Sequence, residues 1–119
     1  MTEKVYTDSH EWVEKRGNLA RIGITLLFYR ELEEVIFAEF VPNGTTLQKG
    51  ERMVTLESHK MVFDLYTPLS GTLFSFHKNF LKCCAQEEVK EEDLWLIELI
   101  YSPNREEEWQ ALLSAEQYS

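Results

Sequence analysis

The sequence predicts a mainly β fold, a sandwich or barrel of short antiparallel strands. Three observations carry that reading. Short apolar and β-branched segments recur along the 119 residues. Turn signals punctuate them at Arg16-Gly17-Asn18, Pro42-Asn43-Gly44, Gly50-Glu51 and Pro68-Leu69-Ser70-Gly71, where Gly and Pro supply backbone conformations that interrupt strands. Only two stretches have helical features, one near residues 26–33 and one near 103–117.

Val5-Tyr6-Thr7 and Glu11-Trp12-Val13 read as short strands, and Leu19 to Ile24 alternates apolar with small or polar residues as a half-buried strand should. Residues 26–33 contain neither Gly nor Pro, and Thr25 stands in front of them as an N-cap whose hydroxyl can accept a free first-turn amide. Val35 to Val41 is β-rich and stops at Pro42. Met53-Val54-Thr55-Leu56 enters a hairpin whose return strand includes Asp64-Leu65-Tyr66, and Thr72 to Phe76 forms the next strand. Residues 77–93 are polar and acidic, and Leu94 to Ile100 is the most apolar strand. Ser102-Pro103 then reads as a cap followed by proline at the first helical position, where no backbone donor is needed. Glu106, Glu107 and Glu108 suit the positive end of a helix dipole. Trp109, Leu112 and Leu113 fall on one stripe, so a C-terminal helix over 103–117 is expected to lie on the strands.

The length fits a single domain, residues 1–119, with a modest core. The net charge of −9 argues against nucleic acid, whose phosphates require a basic face. It suits brief encounters steered by charge. No apolar run is long enough to span a membrane. The start, Met1-Thr2-Glu3-Lys4, shows neither a signal nor a transit pattern, and the chain is expected to be cytoplasmic. Cys83 and Cys84 are adjacent and lack Cys-x-x-Cys spacing. On a strand they would point to opposite faces, so two reduced, partly buried thiols are expected.

A conventional active site is missing from the pattern. His10, His59 and His77 have no metal-ligand spacing, and His10-Glu11-Trp12 is not a zinc signature. The five glycines are scattered through turns and form no phosphate loop. Acid pairs such as Glu33-Glu34 and Glu91-Glu92 read as solvated faces. The pattern describes a carrier, not an enzyme.

One lysine stands out by position. Lys60 lies at the tip between two strand-like segments, in Thr55-Leu56-Glu57-Ser58-His59-Lys60-Met61-Val62-Phe63-Asp64-Leu65-Tyr66. Most lysines are simply exposed and charged, and this tip lacks the Asn-Gly or Asp-Gly of the common two-residue hairpin. Periodicity alone does not single it out.

The surrounding motifs do. Tyr6-Thr7-x-x-His10-Glu11-Trp12-Val13, Leu19-Ala20-x-Ile22-Gly23-Ile24-Thr25 and Val35-Ile36-Phe37-x-Glu39 come in order. Glu57-Ser58-x-Lys60, Asp64-Leu65-Tyr66-x-Pro68-x-Ser70-Gly71, Trp95-Leu96 and Leu112-Leu113-x-Ala115-x-x-Tyr118 follow. Together they resemble the H proteins of the glycine cleavage system over nearly the whole chain. The resemblance implies a flattened antiparallel β-barrel or sandwich of the lipoyl/biotinyl-carrier hybrid type, with Lys60 on an exposed hairpin and lipoate joined to its amine. It implies four enzyme partners: a lipoate ligase or transferase, the glycine decarboxylase (P protein), the aminomethyltransferase (T protein) and dihydrolipoyl dehydrogenase (L protein). The lipoyl group would then shuttle an aminomethyl group and reducing equivalents between them. Departures fall at three places. Glu33-Glu34 stands where the family usually has Gly-Asp. Val89 to Leu94 replaces a glycine-containing segment. Met61 follows the lysine in place of the usual Ala. These leave a second reading open, an H-like lipoyl protein acting as a relay or redox component outside glycine cleavage. Lys60-Met61 also touches the biotin-acceptor pattern, but His59 precedes the lysine where that pattern has Met.

Overall fold

The structure is a computed structural model describing residues 4–118, the side chains of Ala115 and Glu116 aside. The expectation drawn from Met1-Thr2-Glu3 lies outside the described residues. The strands are β1 (Lys4–Tyr6), β2 (Glu11–Arg16), β3 (Leu19–Ile24), β4 (Val35–Phe40), β5 (Thr46–Leu47), β6 (Arg52–Ser58), β7 (Val62–Tyr66), β8 (Gly71–Phe76), β9 (Trp95–Tyr101) and β10 (Leu113–Ser114). They form a seven-stranded sheet in the order β10-β1-β2-β3-β9-β8-β5 and a three-stranded sheet in the order β4-β6-β7. The described ladders are all antiparallel. The sheets face each other as a sandwich and do not close into a barrel.

One core joins the two layers. Ile22, Leu73, Leu96 and Leu99 from the larger sheet meet Val54, Leu56 and Leu65 from the smaller, all buried. Each such side chain contributes about 1.5–3 kcal/mol of burial. Trp12 is buried outside that cluster, on the opposite face of β2 from Val13, and its indole N–H donates to the Ile24 carbonyl at 2.8 Å. Its ring is why residue 23 is glycine: a Cβ there would stand 2.5 Å from the indole and 2.6 Å from the Leu94 carbonyl oxygen. Among the described residues, every buried side-chain nitrogen and oxygen has a hydrogen-bond partner.

The first helix forms where the sequence places it. α1 spans Leu26–Leu32, and the Thr25 hydroxyl accepts the Phe28 amide as its N-cap. Two further elements appear between β8 and β9, the second taking in Leu94, which the sequence assigns to the strand. α2 (Phe80–Cys84) buries Phe80, and a 3-10 turn at Glu91–Leu94 buries Leu94. Both are too short for periodicity to reveal. Cys83 and Cys84 therefore sit on a helix, not on a strand, and both are free thiols.

The C-terminal segment departs from a single helix over 103–117. Helix α3 is confined to Glu106–Gln110, β10 follows at Leu113–Ser114, and α4 covers Ala115–Tyr118. Ser102-Pro103 is not its cap; Arg105 occupies that position. The interruption has a physical reason: Ser114 and Leu113 pair with Val5 and Tyr6, covering the edge of β1. Strand pairing replaces helical hydrogen bonds there, consistent with the pressure to cover open sheet edges. α3 is fastened instead by Glu108, a buried carboxylate that accepts the Ser70 amide at 2.8 Å and the Ser70 hydroxyl at 2.7 Å.

Candidate functional site

The β6–β7 hairpin carries Lys60. Its register pairs Glu57 with Val62, Leu56 with Phe63 and Thr55 with Asp64. The Ser58 amide donates to the Met61 carbonyl at 2.9 Å, leaving His59 and Lys60 as the loop. Common two-residue loops need left-handed backbone. Here neither His59 nor Lys60 has positive φ. The Ser58 side chain closes the turn instead: its oxygen accepts the amides of Lys60 and Met61, both at 3.2 Å, and lies 3.3 Å from the Met61 carbonyl as a donor. Ser58 is buried beneath the tip while Lys60 stands above it. This is a side-chain-built turn of the kind serine supports.

The Lys60 side chain is 61% exposed. Its Nζ lies 3.4 Å from Glu33 Oε1, and beside it His59 Nε2 lies 3.4 Å from Glu34 Oε2. All four groups face solvent, so each contact is worth about 0–1 kcal/mol and is weakened by salt. The amine is accessible to an incoming acyl donor. Glu57 and Asp64, the two acids flanking the tip, lie two ladder rows apart, with the Leu56–Phe63 row between them; Asp64 accepts the Thr55 hydroxyl at 2.7 Å. Phe37, Glu57 and Val62 form one row across the three strands, with Phe37 and Val62 exposed. The approach to Lys60 is thus acidic with apolar flanks.

A cavity of about 390 Å³ opens at the far end of β7, lined in part by Ser9, Glu11, Lys49, Tyr66, Thr67 and Leu112. Glu11 is 4% exposed and accepts hydroxyls from Thr7 at 3.1 Å and Ser9 at 3.0 Å. Burial pushes its carboxyl up to about 7, against the pull of those two hydroxyls and with a small push from Asp8. The sequence reading gave Glu11 no role beyond its motif. A glutamate in a strand that otherwise points into the core was the available signal.

The remaining candidate chemistry is closed. The His77 ring stacks on Trp95 at 4.4 Å, and its Nδ1 lies 2.8 Å from the Trp95 carbonyl. A carbonyl only accepts, so Nδ1 carries the hydrogen and Nε2 faces the Cys83 thiol at 3.5 Å. Burial lowers the His77 pKa and raises that of Cys83, with Asp93 adding to the latter. Burial pushes Cys84 up to about 11. Among the described residues, no three metal-ligating side chains converge.

The glycine cleavage H-protein family model matches residues 4–119. The chain belongs to the glycine cleavage H-protein family. The glycine cleavage system H protein of Ralstonia nicotianae is 37% identical over 120 residues, covering 98% of this chain and 91% of that protein. The corresponding protein of Dinoroseobacter shibae is 34% identical over 120 residues, covering 100% and 97%. A solved glycine cleavage system H protein from Mycobacterium marinum superposes with a TM-score of 0.74 at 26% identity, covering 98% of this chain and 93% of its own. Within this H-protein fold, the expected tip lysine is where the hairpin ends, and the Glu33-Glu34 departure touches it. No described helix is long and apolar enough to cross a membrane.

Proposed function

We propose that Lys60 carries a lipoyl group in amide linkage and that the rest of the chain serves to present it. The carrier role in glycine cleavage follows from membership of the H-protein family. The observation supporting Lys60 is its exposure at a loop whose backbone is fixed by the Ser58 hydroxyl. A projecting amine on a rigid support suits acylation by a lipoate ligase or transferase. Amide formation removes the lysine charge.

When bound, the group supplies a disulfide that accepts an aminomethyl unit and a dithiol that is reoxidised. The chain's own residues hold the tether and exclude competing chemistry. Ser58 holds the tether's base. Burial pushes the Cys84 pKa up to about 11, so this thiol has little thiolate with which to attack a disulfide. Glu11 offers a buried carboxyl to any amine that enters its cavity. The tether raises the effective concentration of the carried unit at each enzyme visited. Those enzymes are the glycine decarboxylase, the aminomethyltransferase and dihydrolipoyl dehydrogenase, and the compartment is the cytoplasm. The chain acts as one lipoyl-carrier domain with no catalytic residue of its own.

The test is glycine–bicarbonate exchange with purified decarboxylase. Lipoylated protein should support exchange, and Lys60→Ala should abolish it. Lipoylated protein that supports none would place its work outside glycine cleavage.

A further inference from the structure

We propose that Glu33 restrains the unmodified Lys60 amine: it holds the amine against the corner between α1 and β4, and acylation releases that tie. The inference rests on Lys60 being the acylated residue. Two adjacent acids meet two adjacent bases, Glu33 with Lys60 and Glu34 with His59, each at 3.4 Å. The contacts join elements far apart in sequence, the end of α1 and the tip of the β6–β7 hairpin.

The backbone supports a specific role for residue 33. Glu33 is the C-cap of α1, with φ 66° and ψ −115°. A side chain is disfavoured there, and strained residues persist where their surroundings hold them. Glycine would adopt this conformation freely. The Glu33 amide donates to the Arg30 carbonyl at 3.3 Å, which fixes the corner and sends the carboxylate toward the tip. The lysine contact is available only to the cationic amine. Once Nζ becomes an amide nitrogen its charge is gone, and nothing remains for Glu33 to hold electrostatically. Unmodified and acylated chains therefore differ in whether the tip is tied to α1.

The probe is N-hydroxysuccinimidyl acetate on the full chain, with acetylation of Lys60 followed by peptide mass mapping and Lys78 as the internal reference. The Nζ–acyl bond forms, the ester C–O bond breaks, N-hydroxysuccinimide leaves, and the ammonium gives up its protons to the leaving group and solvent. Because no ligase is involved, the result does not depend on whether cells lipoylate Lys60. At low salt, Glu33→Gln should raise the Lys60 rate about 1.5- to 5-fold, the range expected for one exposed ion pair. In 1 M salt the difference should vanish. Glu33→Asp should restore part of the restraint. Glu33→Gly should raise the melting temperature yet release Lys60 as Gln does. After acetylation, the wild-type backbone resonances of residues 33 and 34 should move toward those of Glu33→Gln. Equal Lys60 rates in wild type and Glu33→Gln at low salt, or a difference that persists unchanged in 1 M salt, would overturn the proposal.

Discussion

The Ser58 hydroxyl accepts the Met61 amide at 3.2 Å, doing at this tip what a backbone carbonyl does in an ordinary hairpin. It also accepts the Lys60 amide at 3.2 Å. Ser58→Ala removes both. At about 0.5–1.5 kcal/mol net per hydrogen bond, the expected loss is about 1–3 kcal/mol in urea unfolding. Hydrogen exchange at the amides of Lys60 and Met61 should accelerate more than in the core strands. Unchanged exchange at those two amides would show that the tip is held by other means.

Glu11 sets a pH dependence. Its folded carboxyl titrates at about 7, above an ordinary value of 4.5. The native state therefore binds the proton more tightly than the unfolded chain. The associated stability is present below about 4.5 and is lost as pH rises through about 7. The integrated effect is about 3 kcal/mol. Glu11→Gln keeps the shape without the charge, so its stability advantage over wild type should grow between pH 4.5 and 7.5. Parallel stability–pH curves for the two proteins would contradict the assignment.

Glu108 fastens α3 to the turn before β8. Glu108→Ala leaves the buried Ser70 amide without its acceptor, at a cost of about 1–3 kcal/mol. Chemical denaturation measures the loss directly. Trp109 stacks edge-on to Tyr101 at 5.1 Å, so its fluorescence should change as well if the helix shifts.

Cys84 should resist alkylation. Burial pushes its pKa up to about 11, and the thiolate is the reactive species. Iodoacetamide at pH 7.5 should leave Cys84 unmodified over a period that consumes free glutathione, and unfolding in urea should expose it. Rapid labelling in the native state would refute this.

Much of the architecture was legible because local chemistry and tertiary packing agree. Thr25 caps α1 as its hydroxyl suggests, and β3 alternates from Leu19 to Ile22 because one face meets the core, until the Trp12 ring covers Gly23 on the other. The C-terminal segment was misread because Trp109, Leu112 and Leu113 satisfy a helical stripe, whereas Leu113 and Ser114 answer to the β1 edge. Periodicity reports only the segment, not the distant strand that recruits it. β5 and α2 were too short to announce themselves. At the site, the motif points to Lys60 but not to the means of holding the tip. The Ser58 turn depends on side-chain hydrogen bonding in a non-standard loop, and the Glu33 contact depends on how α1 ends. Glu11's altered acidity arises from burial, which a motif does not encode.

The most direct measurement is peptide mapping of the protein isolated from its native cells in the presence of its lipoylating enzyme. The account predicts one lipoyl group, on Lys60 and on no other lysine, and an unmodified chain when Lys60 is replaced by Ala. An unmodified Lys60 in cells that lipoylate other proteins, or a lipoyl group found elsewhere on this chain, would contradict it.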